Sequence, residues 1–369
     1  MKRLIENWCA VLFLLLSVGM VTSCSLITDD LDGCPDGLYV TLKYDYNLQR
    51  TDLFKGNVGA VTLYIFNADG KLVNTVEDNN LKAWSAGSET AYTMHVTGLE
   101  PGKYRLVALA GQCAYDEMTD SRRAGFIRSD MQPGSDISAL SVRLEGETQS
   151  DGLYHIVNNG LPLDTLWHGM TAGDVEVYDD YSNRASYVTM SLVRDTKEIN
   201  VSLRDLDDPE IMDIADYDIR ITDHNSHILW DNSLDETASV VYTPYKTWNS
   251  YDLIPGADVS DGGLELVTNI ANADFMTSRL VLHGDDSQAD GRLLVTDLKT
   301  GDCVADINLP ALLSRLTACA TAEGYSAQEL LDRGCAYNVQ IWFRDGKPEY
   351  IVLSTDSPEW SMKIQYNEL

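Results

Sequence analysis

Short stretches in which apolar and polar residues alternate dominate the chain and predict strands. Leu38, Val40 and Leu42 alternate with polar neighbours, and the segments 61–65, 188–192 and 360–366 repeat the pattern. A period of two places one face of a strand in the core and the other in solvent. The chain is therefore expected to be mainly β.

Turn sequences separate these strands at short intervals. Asn67-Ala68-Asp69-Gly70 predicts a hairpin turn, and Leu99-Glu100-Pro101-Gly102 predicts another. One face of each sheet has to be buried against a second sheet, so the pattern favours β-sandwiches. Between Asn158 and Ser186 the alternation lapses into Gly-, Asp- and Asn-rich sequence. We place a domain boundary there, which predicts an N-terminal sandwich over 37–165 and a C-terminal sandwich over 170–369.

A helical insertion is predicted over about 309–334. Asn308 can cap the first helix, and Pro310 suits its first turn. Apolar residues then fall on one helix face: Leu309, Leu312, Leu313, Leu316 and Ala320. Ser326 to Glu329 has the spacing of a capping box for a second helix, which Gly334 ends. We interpret the stripe as packing against a sheet.

The N-terminus resembles a bacterial lipoprotein signal. Lys2 and Arg3 form a positive region, and 8–21 supplies about a dozen apolar positions. This is shorter than the roughly 20 apolar residues of a spanning helix. Small residues precede Cys24, as in a lipobox. We predict a signal peptide over 1–23, lipidation of Cys24 and a lipidated tether over 24–36; the alternative is an ordinary secretory signal.

The charge of the chain excludes one class of partner. Asp and Glu number 57 against 27 Lys and Arg, which gives a formal net charge of −30. A field of that sign repels a phosphate backbone, so nucleic acid is excluded as a partner. The hydrophobic fraction of 44% also argues against a disordered chain.

Cysteine usage leaves disulfides open. If Cys9 leaves with the signal and Cys24 is acylated, five cysteines remain: Cys34, Cys113, Cys303, Cys319 and Cys335. Export permits disulfides, and an odd number leaves one thiol over. The candidate pairs are Cys34–Cys113 and Cys319–Cys335. No C-x-x-C motif is present, which argues against a zinc knuckle or a thioredoxin-like site.

Sequence motifs for catalysis are missing. The chain has no G-x-S-x-G, H-E-x-x-H, P-loop or G-x-G-x-x-G sequence. His224-x-x-His227 is the one close histidine pair and reads as a solvated turn. The acidic loops Asp179-Asp180 and Asp285 to Gly291 lack the ligand spacing of an EF-hand. We therefore expect no catalytic residue, no metal site and no cofactor.

The order of several segments resembles a known family. After the lipobox cysteine come Asp29-Asp30-Leu31-Asp32-Gly33-Cys34-Pro35, Tyr44-Asp45-Tyr46-Asn47, the segment Val61 to Lys71, Gly98 to Tyr104, and Leu192-Val193-Arg194-Asp195-Thr196-Lys197-Glu198-Ile199. Together they resemble the FimB-like fimbrial anchor lipoproteins of the Bacteroidota, which belong to the type V pilus system. The resemblance covers about the full mature chain.

This resemblance implies two tandem transthyretin-like β-sandwich domains and a non-enzymatic role. Such anchors are lipidated in the outer membrane, hold the base of a fimbrium and limit its length. Fimbrial shaft or accessory subunits would be the partners. Asp29-Asp30 resembles the acidic stretch that marks surface export in these bacteria. Arg50 could be taken for a protease site, but we interpret it as an ordinary surface arginine.

The last predicted strand is a candidate contact. Its apolar residues are Trp360, Met362, Ile364 and Tyr366. A terminal strand often lies at a sheet edge, where its backbone can pair with another chain. Donation of these residues and burial in their own domain both stay open. Two alternatives to the anchor role stay open. The protein could be a stand-alone surface lipoprotein that binds glycans or host proteins, or a lipid-anchored hydrolase.

Overall fold

The computed structural model describes residues 36–81, 91–119, 122–178, 184–253, 267–284, 289–319, 324–355 and 360–368. The predicted signal peptide, Cys24, Cys34 and nearly all of the tether lie outside these ranges, so those predictions stay predictions. In the described residues the chain is mainly β, as expected, and forms five sheets.

The strands in chain order are β1 Leu38–Lys43, β2 Ala60–Asn67, β3 Leu72–Asp78, β4 Thr93–Val96, β5 Gly102–Gly111, β6 Phe126–Arg128, β7 Ser141–Leu144, β8 Gly146–Thr148, β9 Tyr154–Ile156, β10 Trp167–Met170, β11 Val175–Val177, β12 Ser186–Ser191, β13 Val193–Arg194, β14 Lys197–Asp205, β15 Tyr217–Asp223, β16 His227–Leu229, β17 Val240–Tyr242, β18 Lys246–Leu253, β19 Val267–Thr277, β20 Arg292–Asp297, β21 Cys303–Asn308, β22 Ala336–Arg344, β23 Lys347–Thr355 and β24 Ser361–Gln365.

The helices are α1 Phe54–Asn57, α2 Tyr115–Thr119, α3 Leu309–Ser314 and α4 Ala327–Arg333, and the 3₁₀ segments are Ile137–Ala139, Ile214–Asp216, Arg315–Ala318 and Tyr366–Glu368. None of the helices in the described ranges is long and apolar enough to cross a membrane.

Two sheets build the N-terminal sandwich. Sheet I has the order β12-β1-β4, and sheet II has the order β13-β10-β5-β2-β3, with β11 also paired to β5. Leu38 and Val40 of β1 pack in one core with Val61 and Leu63 of β2. The turn predicted at 67–70 is present, since the Asn67 side chain accepts the amides of Asp69 and Lys71 at 3.0 Å.

Sheet II is buried on both faces. The other face of β2 and β5, with Phe66 and Leu109, packs in the second core of the molecule. Sheet III, with the order β16-β7-β6, covers this face: Leu109, Val142 and Ile228 line one small cavity. The half-buried pattern expected for β2 is therefore replaced by burial on both sides, as in a central layer.

The C-terminal sandwich consists of two six-stranded sheets around that second core. Sheet IV has the order β21-β20-β15-β17-β9-β8, and sheet V has the order β18-β19-β14-β22-β23-β24. Their inward side chains, among them Ile221 and Val295 of sheet IV and Val201 and Ile341 of sheet V, are fully buried.

The sheets do not divide the chain at the boundary between 37–165 and 170–369. β12 pairs in parallel with β1, from Leu38↔Ser186 to Lys43↔Ser191, and β13 pairs with β10. In the other direction, β9 pairs with β17 and β7 with β16. Each sandwich thus takes strands from both predicted segments. Alternation of apolar and polar residues predicts where a strand lies, but not which strand it pairs with. Pairing between distant segments is also affordable, because the entropic cost of closing a loop grows only slowly with loop length.

The helical insertion is confirmed, with two corrections. The Asn308 side chain accepts the Ala311 amide at 3.0 Å, and the Ser326 hydroxyl accepts the Glu329 amide at 3.1 Å. The first helix changes to 3₁₀ geometry at Arg315 instead of continuing. Glu329 does not complete the capping box, because its carboxylate accepts the Arg333 Nε at 2.9 Å. The four leucines of the apolar stripe are buried in the C-terminal core, as predicted, and Ala320 lies outside the described residues.

Candidate functional site

The strand β24 forms one edge of sheet V. It pairs antiparallel with β23, from Tyr350↔Gln365 to Ser354↔Ser361, and no other described strand pairs with it. The Thr355 amide donates to the Trp360 carbonyl at 3.0 Å. In an antiparallel pair, alternate residues turn their backbone groups away from the partner strand. Residues 361, 363 and 365 therefore present N–H and C=O groups at the sheet edge.

The four predicted contact residues face their own domain. Trp360 and Ile364 are each 5% exposed, and Met362 and Tyr366 pack partly buried against the same core. The exposed side chains of β24 are Ser361, Lys363 and Gln365. This edge therefore offers backbone groups and polar side chains, while its apolar residues hold the strand in place.

Lys363 lies at the middle of this edge. Its ammonium is 3.4 Å from the centroid of the Tyr350 ring on β23, within the range of a cation–π contact. A lysine on an edge strand hinders unselective pairing between sheets, because two such edges repel each other. Pairing at β24 would therefore require a partner that tolerates this charge.

The opposite edge of sheet V was missed by the sequence analysis. β18 is eight residues long and pairs with β19 along its full length. Tyr251 on this edge is 68% exposed, while Trp248 is half-buried under the Lys246 ammonium at 4.4 Å. Both faces of β18 carry polar residues, so no apolar alternation marks the strand.

A depression of about 360 Å³ adjoins β18. It is lined by Glu210, Ile211, Met212, Asp213, Asp216, Asn249, Ser250, Tyr251 and Asn269. Asp213 accepts both the Asn249 side-chain amide at 2.7 Å and the Ala215 amide at 3.0 Å, and these bonds lower its pKa. The depression combines acidic groups with the exposed Ile211, which is 53% accessible.

A buried polar cluster fixes the junction between the sandwiches. Lys197, with no exposed surface, donates to the carbonyls of Arg194, Asp332 and Gly334 at 2.8–3.2 Å. These carbonyls belong to the last residue of β13, just before β14, and to the C-terminal end of α4. Burial lowers the pKa of Lys197, opposed by the nearby Asp332 carboxylate. The cluster therefore ties α4 to the connection between the sandwiches.

Two further charged groups complete the cluster. Arg279 donates two parallel bonds to the Asp332 carboxylate at 2.9 Å and a third to the Asn232 carbonyl. The buried Asp195 accepts the Asn232 side-chain amide at 3.0 Å, and burial raises the pKa of Asp195. Most polar atoms of the cluster bond to backbone or to each other, which is a structural arrangement, while one oxygen each of Asp195 and Asn232 is buried without a hydrogen-bond partner among the described residues.

The histidines do not converge on a metal site within the described ranges, which contain no group of three or more metal-ligating side chains. His227 contacts Asp235 at 3.0 Å. His283 lies between Asp290 at 2.7 Å and Glu236 at 3.1 Å, and the bond to Asp290 raises the pKa of His283. Asp179-Asp180 and most of the acidic loop 285–291 lie outside the described residues.

The structure does not join Cys319 to Cys335, since both are free thiols. The Cys335 thiol contacts the Tyr44 hydroxyl of the N-terminal sandwich, whereas Cys319 packs against the C-terminal core. The two cysteine side chains thus pack against different parts of the molecule. For Cys113 the predicted partner Cys34 lies outside the described residues, and that pairing stays a prediction.

Residues 31–366 match the family model of the fimbrillin-A associated anchor proteins Mfa1 and Mfa2. The chain belongs to this family. The match spans both sandwiches and confirms the resemblance to fimbrial anchors, with an association at the cell surface. No curated protein sequence matches the chain.

Solved structures share the fold of this family member over nearly its full length. A candidate adhesin from Bacteroides thetaiotaomicron is 24% identical with a TM-score of 0.69, covering 91% of this chain and 100% of that one. A structure of candidate polysaccharide-binding proteins from the same species is 27% identical with a TM-score of 0.66, covering 90% and 99%. The fimbrial anchor protein Mfa2 from Porphyromonas gingivalis is 17% identical with a TM-score of 0.57, covering 90% and 99%.

Proposed function

We propose that this protein is an outer-membrane lipoprotein, held by lipid on Cys24, that anchors the base of a fimbrium and limits its length. The partners would be fimbrial shaft or accessory subunits. The observation that carries the proposal is the family match over residues 31–366, in a chain whose large C-terminal sheet has an open edge at β24.

The contact would be made by strand addition at an edge. Backbone pairing along an extended strand provides affinity without a small-molecule site, and nearby side chains provide selectivity. This mode needs no catalytic group, which agrees with a non-enzymatic role. We also propose that both sandwiches are of the transthyretin-like type, as the family resemblance implies.

At β24 the protein would accept a strand and not donate one. Donation would pull Trp360 and Ile364 out of the core and break the pairing with β23. Burial of one large apolar side chain is worth about 1.5–3 kcal/mol, so exposure of two is costly. Acceptance uses only the outward backbone groups of residues 361, 363 and 365.

Electron microscopy of cells that lack this protein tests the proposal. Fimbriae are counted on cells and in the medium, and their lengths are recorded. Shed or unusually long fimbriae are the expected result, because both anchoring and termination would be lost. Unchanged fimbriae would contradict the proposal and favour a stand-alone surface lipoprotein that binds glycans or host proteins.

A further inference from the structure

An open groove of about 550 Å³ lies where the two sandwiches meet. One wall is the chain that follows β1, the other is α4 with the residues before it, and the end of β12 completes the rim. The lining residues are Asp45, Tyr46, Arg50, Ser191, Gly324, Tyr325, Glu329 and Arg333. A volume of 300–1,000 Å³ is typical of sites for small ligands.

Aromatic rings hold the two arginines of this groove. The Arg333 guanidinium lies between Tyr46, 4.0 Å from the ring centroid, and Tyr325 at 5.0 Å. The Arg50 guanidinium lies 4.8 Å from the Tyr325 centroid, and its Nε donates to the Tyr325 hydroxyl at 2.5 Å. Tyr325 is itself stacked on Trp360. Stacking fixes the guanidinium planes and leaves their terminal N–H groups available for a ligand.

The backbone at Arg50 is strained. Its φ of 52° lies in the left-handed region, which non-glycine residues rarely adopt. The buried Asn47 maintains the turn, because its side-chain amide donates to the carbonyls of Tyr44 and Thr51 at 2.8 Å. The turn thus holds an exposed arginine in an unfavourable conformation that directs it to the groove. Such strain concentrates at binding sites.

The charges of the two arginines are not equally balanced. Arg333 pairs with the Glu329 carboxylate at 2.9 Å, but Arg50 forms no ion pair with any residue that the structure describes. Acidic residues outnumber basic ones by 57 to 27, so a counter-charge would have been easy to supply. The groove therefore contains a preorganised cation that a bound anion could neutralise.

We propose that this groove binds a saccharide that carries a carboxylate. The terminal nitrogens of Arg50 would form paired bonds to the carboxylate, the fork geometry that guanidinium and carboxylate share. Asp45 and Glu329 would accept bonds from sugar hydroxyls, and Ser191 could donate or accept. Hydroxyls do both, so they suit a groove that alternates donors and acceptors. The walls are a turn and a helix, and of the edge strand β12 the lining includes Ser191 alone, which is too short a stretch of edge to pair with an extended peptide.

Titration calorimetry with the full chain in detergent tests this site. The probes are trigalacturonate and the neutral galactose trisaccharide, at low ionic strength. We expect binding of trigalacturonate only, and a loss of affinity of about tenfold or more in Arg50→Gln. Arg50→Lys should retain part of the affinity, because it keeps the charge without the fork. Arg344→Gln is the matched control: Arg344 is an exposed arginine at the end of β22, so this variant should bind as the wild type does.

A second variant avoids dependence on the strained turn. Ser191→Glu adds an anion at an exposed strand end and should abolish trigalacturonate binding without affecting the thermal unfolding midpoint. No binding of either trisaccharide, or equal binding of both, would overturn the proposal. So would preference for a triglutamate peptide, which would identify a peptide site instead.

Discussion

At the scale of single residues, the buried Lys197 carries the largest expected effect on stability. Lys197→Met leaves three carbonyls without their donor and removes a buried positive charge, so that the Asp332 carboxylate keeps only Arg279 as a cation. Breaking a buried charged arrangement by removing one partner costs about 3–5 kcal/mol. We expect a fall of that size in the free energy of unfolding, measured by urea denaturation.

An exposed lysine provides the control for this variant. Lys299 pairs with Asp216 at 2.6 Å but is 62% exposed. Because surface pairs contribute about 0–1 kcal/mol, Lys299→Met should change stability by less than about 1 kcal/mol. Equal losses in the two variants would contradict the structural role of the buried cluster.

The pH dependence of stability should depend on His168. The buried imidazole donates from Nε2 to the Trp230 carbonyl at 2.9 Å, and burial lowers the pKa of His168 from 6.5 to about 4. Between those values the unfolded chain binds a proton that the folded chain does not. The contribution of His168 to the free energy of unfolding is therefore complete above pH 6.5. It is lost as the pH falls towards 4 and amounts to about 3 kcal/mol.

Comparison with His168→Gln isolates this contribution, because the glutamine amide can donate to the same carbonyl and does not titrate. Urea midpoints at pH 7, 5.5 and 4.5 should fall more steeply in the wild type than in the variant. The raised pKa of Asp195 has the opposite sign, favouring the folded state at lower pH, and cancels in the comparison. Parallel slopes would refute the assignment to His168.

Hydrogen bonds between side chains and their partners could be predicted only where the two residues are close together in the sequence. The caps at Asn308 and Ser326 were predicted, because each bonds an amide three residues away. The Lys197 cluster was not predicted, since its acceptors at Asp332 and Gly334 lie more than 130 residues further on. The groove arginine Arg50 was interpreted as an ordinary surface residue for the same reason: Tyr325 is 275 residues away.

At the scale of elements, the edge strand β24 gives a direct test of strand addition. Lys363→Pro removes an outward-facing N–H that the β23 ladder does not use, so the fold should persist. A partner strand would lose a backbone bond and meet the proline ring. We expect shed or elongated fimbriae in electron micrographs of cells that carry the variant.

The matched control is Lys363→Ala, which removes the charge but keeps the backbone N–H. Cells with this variant should keep normal fimbriae. If Lys363→Pro also leaves the fimbriae normal while the protein is present at wild-type levels, β24 is not the contact edge. The eight-residue edge at β18 would then be the next to test in the same way.

Strand positions could be predicted well, and strand partners could not. The alternation at β1, the turn after β2 and the terminal strand β24 are local patterns, and the structure has each of them. The exchange of β12 into sheet I and of β9 into sheet IV has no local signal. The edge strand β18 was not predicted either, because half-exposed polar residues occupy both of its faces.

At the scale of the whole molecule, membrane attachment is predicted to depend on a single residue. Cys24→Ala removes the thiol that would carry the lipid, and the residues that the structure describes begin at Asp36. We expect the variant to leave the detergent-rich phase and appear in the soluble fraction of a phase partition. Retention of the variant in the detergent phase would contradict lipidation at Cys24.

The exchange of β12 into sheet I also has a mechanical consequence. A load that enters the chain ahead of Asp36 reaches β1 first, and β1 is the central strand between β12 and β4. The hydrogen bonds lie across the strands, so tension along β1 shears six register pairs with β12 and four with β4 together. Shearing many bonds at once needs more force than peeling an edge strand bond by bond. The end of the protein that the proposed lipid on Cys24 would tether is thus also arranged to resist pulling.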